Sequence, residues 1–238
     1  MLKDCAHVIS KPISHIINLS IKTSTVPSIW KSAKVTPIHK SGDTNSPENY
    51  RPISVLPTLS KIMEKAVHSQ LSGYLESNQL LHECQFGFRK RKSTKLAATY
   101  FCDQIRKEMD GGKLTGCVYI DLSKAFDTIG HALLINKLKC YGVQGAELEW
   151  FTDYLFGRTQ FIDLLNEQSG ETTIECGVPQ GSILGHLLFI VFFNDLADKI
   201  QTAKIVKYAD DTVIFFSSKN LYDIEKVLND EIQLIGEY

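Results

Sequence analysis

The sequence predicts an α+β fold in which amphipathic helices alternate with antiparallel strands. Three patterns carry that expectation. Leu59, Ile62, Met63, Ala66, Val67, Leu71, Tyr74 and Leu75 recur at the spacing of one helix face. Ala97, Ala98, Phe101, Ile105 and Met109 form a second stripe that stops at Gly111-Gly112. Lys204–Tyr208 and Thr212–Phe216 are β-prone runs separated only by Ala209-Asp210-Asp211, which reads as a hairpin with acids at its tip.

The other elements follow in chain order. Pro27, Pro37, Pro47, Pro52 and Pro57 punctuate residues 26–57. Proline fixes φ and removes a donor, so an extended, turning region is expected there, with a short strand at Lys34–Ile38 and a turn at Ser41-Gly42-Asp43. After the two helices, Cys117–Ile120 is a short β-prone run, and Leu134, Ile135 and Leu138 mark a helix running down to Gly142. Ile174–Gly177 looks like a strand entering a turn, and Ser182 opens a buried helix to about Asn194. Leu221, Ile224, Leu228 and Ile235 trace a last helix. No internal repeat or low-complexity segment interrupts this order.

The chain has 238 residues, 43% hydrophobic and 22% charged, which suffices for a real core and excludes wholesale disorder. A net charge of −1 conceals an asymmetry: residues 1–113 carry 17 Lys+Arg against 9 Asp+Glu, and residues 114–238 carry 9 against 18. The first part is suited to phosphate and the second to cations. The 6 cysteines include no CxxC pair and read as reduced, buried thiols of an intracellular protein. Cys5 with His7, and His82 with Cys84, lack partners at structural-zinc spacing. The most apolar run, Ile183–Phe193, is too short for a membrane span and contains His186, so no membrane partner is expected.

Asp121 ends an apolar strand, and Asp210 and Asp211 sit at the hairpin tip. Like charges gathered at a strand end repel unless they are neutralised, and a divalent cation does this well. If the strand ending at Asp121 lies beside the hairpin, three carboxylates converge. Hard oxygen ligands of this kind suit Mg²⁺, and two such ions roughly 4 Å apart clamp the attacking and leaving oxygens of a phosphoryl transfer.

Tyr208-Ala209-Asp210-Asp211 resembles the YADD box of reverse transcriptases. Val118-Tyr119-Ile120-Asp121-Leu122-Ser123-Lys124-Ala125-Phe126-Asp127 is similar to that family's first metal-binding motif, and Gly177-Val178-Pro179-Gln180-Gly181-Ser182-Ile183-Leu184-Gly185 to its template- and nucleotide-positioning motif. Upstream, Asn49-Tyr50-Arg51-Pro52-Ile53-Ser54, Gln85-Phe86-Gly87-Phe88-Arg89 with Ser93-Thr94, and the stretch from Trp30-Lys31 through Gly42-Asp43 resemble the enzymes of non-LTR retrotransposons, with a jockey-like branch nearest. One tetrapeptide is weak; six motifs in order are specific.

The resemblance implies a right-hand polymerase whose antiparallel palm sheet has helices packed on one face. Fingers are expected over residues 1–112 and 131–170, and the palm over 113–130 and 171–238. The implied reaction adds deoxynucleotides from dNTPs to the 3′-hydroxyl of a DNA primer on an RNA template, releasing pyrophosphate. Asp121 and Asp210 become the expected ligands of two Mg²⁺, with Mn²⁺ as a substitute, and Asp211 a weaker third. Relatives continue into further palm motifs and a thumb, so the chain is expected to be C-terminally truncated and weak or inactive alone. A non-catalytic nucleic-acid-binding relic is the alternative. A two-metal nuclease is disfavoured, because the fingers motifs serve nucleotide selection. Such elements copy at chromosomal DNA, which implies an intracellular, chiefly nuclear location with a cytoplasmic phase.

Individual residues take roles from the same resemblance. Phe126 blocks a ribose 2′-hydroxyl, or is a core ring. Gln180 and Gly181 contact the incoming nucleotide or template, or merely form a turn. Arg51 holds the triphosphate, with Lys40 as a second phosphate contact. Arg89, Lys90 and Arg91, in a basic run with Lys92, contact the template backbone, form a nuclear-localisation patch, or make a solvated loop. Asp127 is expected to cap a helix rather than to catalyse. His186 stands where the family usually has proline, and Gly130 replaces a common acid; the histidine is expected to perturb the helix behind Gln180.

Overall fold

A computed structural model describes residues 4–122, 125–164 and 167–236. Ser123 and Lys124 of the first acidic motif lie outside the described residues. In order, the elements are α1 (Ala6–Lys22), β1 (Ser32–His39), β2 (Tyr50–Val55), α2 (Thr58–Ser77), α3 (Thr94–Asp110), β3 (Leu114–Ile120), α4 (His131–Cys140), α5 (Gly145–Leu155), β4 (Arg158–Leu164), β5 (Glu167–Gln168), β6 (Thr172–Ile174), α6 (Ile183–Phe192), α7 (Leu196–Lys199), β7 (Lys204–Tyr208), β8 (Asp211–Ser218) and α8 (Leu221–Gly236). The predicted α+β class holds. Helices α1 and α5 and strands β2 and β4 were not evident from the sequence. In α1 a proline, Pro12, sits inside the helix, against the usual rule. In the β1–β2 hairpin Pro37 faces Pro52. The Lys40 N–H bonds Asn49 O three rungs away, so by alternation the proline rung is one that exchanges no hydrogen bonds and their missing donors are not needed.

The chain divides into two compact units. The first comprises Met1–Tyr74 and Phe126–Leu188. Its mixed sheet has the order β2-β1-β4, with β5 and β6 also paired to β4. β1 runs antiparallel to β2 and parallel to β4. The core includes Met63, Leu134 and Leu138, together with Trp150 stacked on Tyr154 at 5.4 Å.

The second unit comprises Leu75–Ala125 and Phe189–Tyr238. Its antiparallel sheet has the order β3-β8-β7. Side chains alternate across a strand, and here both faces are apolar. Val118, Ile205, Ile214 and Phe216 meet Ile224 and Leu228 of α8, whereas Cys117, Val206, Val213 and Phe215 meet Ala97 and Phe101 of α3. The expectation of helices on one face is therefore corrected: this sheet is covered on both. At Gly116 the approach of α8 leaves no room for a side chain, because a Cβ there would stand 2.4 Å from Ile224 Cγ2. Among the described residues no helix is long and apolar enough to cross a membrane.

Candidate active site

In the second unit, the strand register decides where the acids go. β3 pairs with β8 from Leu114↔Ser218 to Ile120↔Thr212, so Asp121 leaves the sheet where β8 begins at Asp211. β7 meets β8 with Tyr208 opposite Asp211, closing the hairpin through Ala209-Asp210. All three acids therefore share one end of one sheet. Asp121 and Asp211 are exposed and Asp210 is half-buried. Among the described residues, no three His, Cys, Asp or Glu side chains are gathered closely enough to form a ready-made metal cluster. The donor set still fits Mg²⁺, which keeps several waters and needs only one or two carboxylates.

The hairpin tip is held by a residue that the sequence left without a role. Ala209 has φ +57°, the left-handed region that costs an L-residue roughly 1–2 kcal/mol. The buried Gln85 side chain grips it. Gln85 Oε1 accepts from Ala209 N at 3.1 Å and from Gly87 N at 2.8 Å, while Nε2 donates to Ala209 O at 3.3 Å. The Gln85 backbone is fixed in turn, because Lys207 N donates to Cys84 O and Phe86 N to Lys207 O, each at 2.8 Å. The Lys207 ammonium, itself buried, donates to Phe193 O at 2.6 Å just past the end of α6, where the helix dipole favours a cation.

Arg89 is placed differently from its expected template role. Its Nε and Nη2 grip Glu76 at 2.9 and 2.7 Å, and Nη1 donates to His82 O at 2.8 Å. The fork is spent on fixing this loop, and its side chain is only 6% exposed. The hydrogen bond from Arg89 holds the Glu76 carboxyl below its usual range. Lys90 and Arg91 are exposed, whereas Lys92 pairs with Glu83 at 3.0 Å and lies over the Phe86 ring.

The nucleotide-binding candidates belong to the first unit. Gln180 Nε2 donates to both Asp127 oxygens at 2.9 Å, and Gln180 O accepts from Ser54 N at 2.7 Å. Gly181, with φ +128°, lies so near Ser54 that a Cβ would stand 2.4 Å from its carbonyl oxygen. Gly177, with φ +84°, packs on the Asp127 backbone, where a Cβ would stand 2.8 Å from its Cα and carbonyl oxygen. Asp127 is therefore not a helix cap: α4 begins after Gly130 without a side-chain cap, and Asp127 holds Gln180 instead. Behind the turn, the buried carboxylate of Glu64 accepts from Tyr154 Oη at 2.9 Å, Ser182 Oγ at 3.0 Å and Ile183 N at 2.8 Å, anchoring the start of α6. Burial, then the Glu64 charge, pushes the Tyr154 phenol well above its usual range.

Arg51 sits on β2 opposite Ile38, and the ladder extends to Lys40, whose N–H donates to Asn49 O at 2.8 Å. Alternation puts the exposed Arg51 and Lys40 side chains on one face of this hairpin. Phe126 is half-buried with its ring edge-on to His186, 5.7 Å between centroids. α6 runs unbroken through His186, so the expected perturbation of that helix is absent. Burial lowers the His186 pKa.

Comparison with known proteins places this arrangement. The probable RNA-directed DNA polymerase from transposon BS of Drosophila melanogaster is 35% identical over 85% of this chain and 23% of its own length. The RNA-directed DNA polymerase from mobile element jockey, of the same fly, is 30% identical over 87% of this chain and 23% of its own. The chain thus spans about a quarter of the length of these curated relatives. A solved telomerase from Candida albicans, in complex with a fragment of telomeric RNA, shares the fold with a TM-score of 0.63 at 12% identity, over 93% of this chain and 43% of that one. The profile of the family described as reverse transcriptase (RNA-dependent DNA polymerase) matches residues 38–237, and the chain belongs to that family, on its non-LTR, jockey-like side.

Proposed function

We propose that this chain is the nucleotidyl-transfer core of a mobile-element RNA-directed DNA polymerase, extending a DNA primer on an RNA template. The observation that carries this reading is the register of β3, β8 and β7, which delivers Asp121, Asp210 and Asp211 to one sheet end. Asp121 and Asp210 are the proposed ligands of two Mg²⁺, with Asp211 as a weaker third and Mn²⁺ as a substitute. Bound there, the ions would lower the pKa of the primer hydroxyl and offset the triphosphate charge. Arg51, with Lys40, takes the triphosphate through a planar fork and a point charge. Gln180 and Gly181 orient the nucleotide, and Phe126 stands against a ribose 2′-hydroxyl. Exposed Lys90 and Arg91 offer phosphate contacts to the template. The RNA partner of the Candida albicans telomerase is in keeping with an RNA template here. A nuclear location with a cytoplasmic phase follows from the same reading.

The test is extension of an oligo(dT) primer on poly(rA) with dTTP and Mg²⁺. Weak extension that disappears in Asp210→Asn, with template–primer binding retained, is the expected result. Equal extension by Asp210→Asn overturns the proposal, and binding without extension by the unaltered chain favours the relic.

A further inference from the structure

We propose that Gln85 is a positioning residue for the acids, fixing the peptide that carries Asp210. This deepens the proposed function and rests on the reading of Asp210 as a metal ligand. The Ala209 carbonyl belongs to the same rigid peptide unit as the Asp210 N–H, so whatever orients that carbonyl sets the direction in which Asp210 leaves the turn. Gln85 Nε2 donates to that carbonyl at 3.3 Å while its Oε1 accepts from the Ala209 N–H at 3.1 Å. One carboxamide thus reads both polar groups of the residue before Asp210. Only a donor–acceptor side chain can do this: glutamate lacks the donor and methionine lacks both.

Two further features show that the grip is built rather than incidental. A two-residue hairpin turn with a left-handed first position favours glycine, yet this chain has alanine at φ +57°, so the conformation depends on what surrounds it. Gly87 packs directly against the turn, where a Cβ would stand 2.2 Å from Ala209 N. Gln85 is 1% exposed, and its backbone bridges to Lys207 at the edge of β7, so the amide has no freedom to move away. Residues that orient a metal ligand typically change metal affinity or activity by about 10- to 100-fold when removed.

The experiment compares the unaltered chain with Gln85→Met, Gln85→Glu, Asp210→Asn and the double variant Gln85→Met/Ala209→Gly. Mn²⁺ affinity is read by paramagnetic resonance of the free ion, and the thermal midpoint is read alongside. Gln85→Met keeps the volume and loses the hydrogen bonds; about a tenfold or greater loss of Mn²⁺ affinity is expected. Glycine at 209 adopts the turn without assistance, so the double variant is expected to recover much of that affinity, which a general loss of packing would not allow. Native Mn²⁺ affinity in Gln85→Met, or a loss that Ala209→Gly leaves untouched, overturns the inference. If Gln85→Met does not fold, Gln85→Glu carries the comparison with the same expected weakening. If Asp210→Asn binds Mn²⁺ as the unaltered chain does, the ligand reading fails and the inference falls with it. If Asp210→Asn loses the ion while Gln85→Met keeps it, only the inference falls.

Discussion

Both carboxylate oxygens of Asp127 accept from the Nε2 of Gln180 at 2.9 Å. An amide alone at a turn can flip; a carboxylate on its nitrogen fixes which end faces where. Asp127→Ala is expected to cost about 1.5–3 kcal/mol of stability, the value of a charge-assisted hydrogen bond. It should also raise the KM for dNTP more than it lowers kcat, because on the proposed reading Gln180 orients the bound nucleotide. Steady-state primer extension checks this, and an unchanged KM contradicts it.

Glu64 holds three donors from two distant segments. Glu64→Ala removes the acceptor of the Ile183 N–H and leaves the buried Tyr154 and Ser182 hydroxyls only each other, 3.0 Å apart, to share two donors. A loss on the order of 3 kcal/mol in urea unfolding is expected, and Glu64→Gln, which keeps one acceptor, should lose less. Equal stability of all three chains would show that the network is dispensable.

His186 gives a pH dependence of defined sign. Its ordinary pKa of 6.5 is lowered by burial, while a backbone hydrogen bond with Ser182 and the Glu64 charge oppose the shift. Below 6.5 the unfolded chain takes up a proton that the folded chain refuses. The stability is thus fully present above 6.5 and is lost as pH falls toward the lower folded value. His186→Leu is expected to flatten the decline between about pH 7 and pH 5. A parallel decline in both chains would contradict this.

Arg89 and its neighbours should separate cleanly. Arg89→Ala removes the partner of Glu76 and is expected to lower the thermal midpoint with little direct effect on template affinity. Lys90→Ala and Arg91→Ala should leave stability alone and weaken template binding, with a shallower salt dependence. Filter binding across a salt series, beside thermal melts, distinguishes the two classes; template loss greatest in Arg89→Ala would reverse the assignment.

Much of this was legible in the residues, and the misses have physical causes. The acidic hairpin announced itself because two short β-prone apolar runs separated by so short a gap permit little else. Gln85 stayed silent because its value depends on Ala209, 124 positions away. Asp127 was misplaced for a related reason: the local rule for helix caps competes with a contact to Gln180, 53 residues distant, and the long-range contact wins. Arg89 looked like part of a basic patch, since sequence cannot show that Glu76 turns its charge inward. Helices on both faces of β3-β8-β7 were foreshadowed by consecutive apolar residues such as Val213, Ile214 and Phe215, which leave neither face polar.

The convergence of Asp121 with the 210–211 tip is tested most directly by replacing magnesium with Fe²⁺ and adding ascorbate and peroxide, so that radicals cut the backbone beside the bound ion. Mass spectrometry should find paired cuts near residues 120–122 and 209–211, both suppressed by excess Mg²⁺ and both lost in Asp210→Asn. Cuts at only one of these segments, or cuts indifferent to Asp210, would mean that the acids do not hold a common ion.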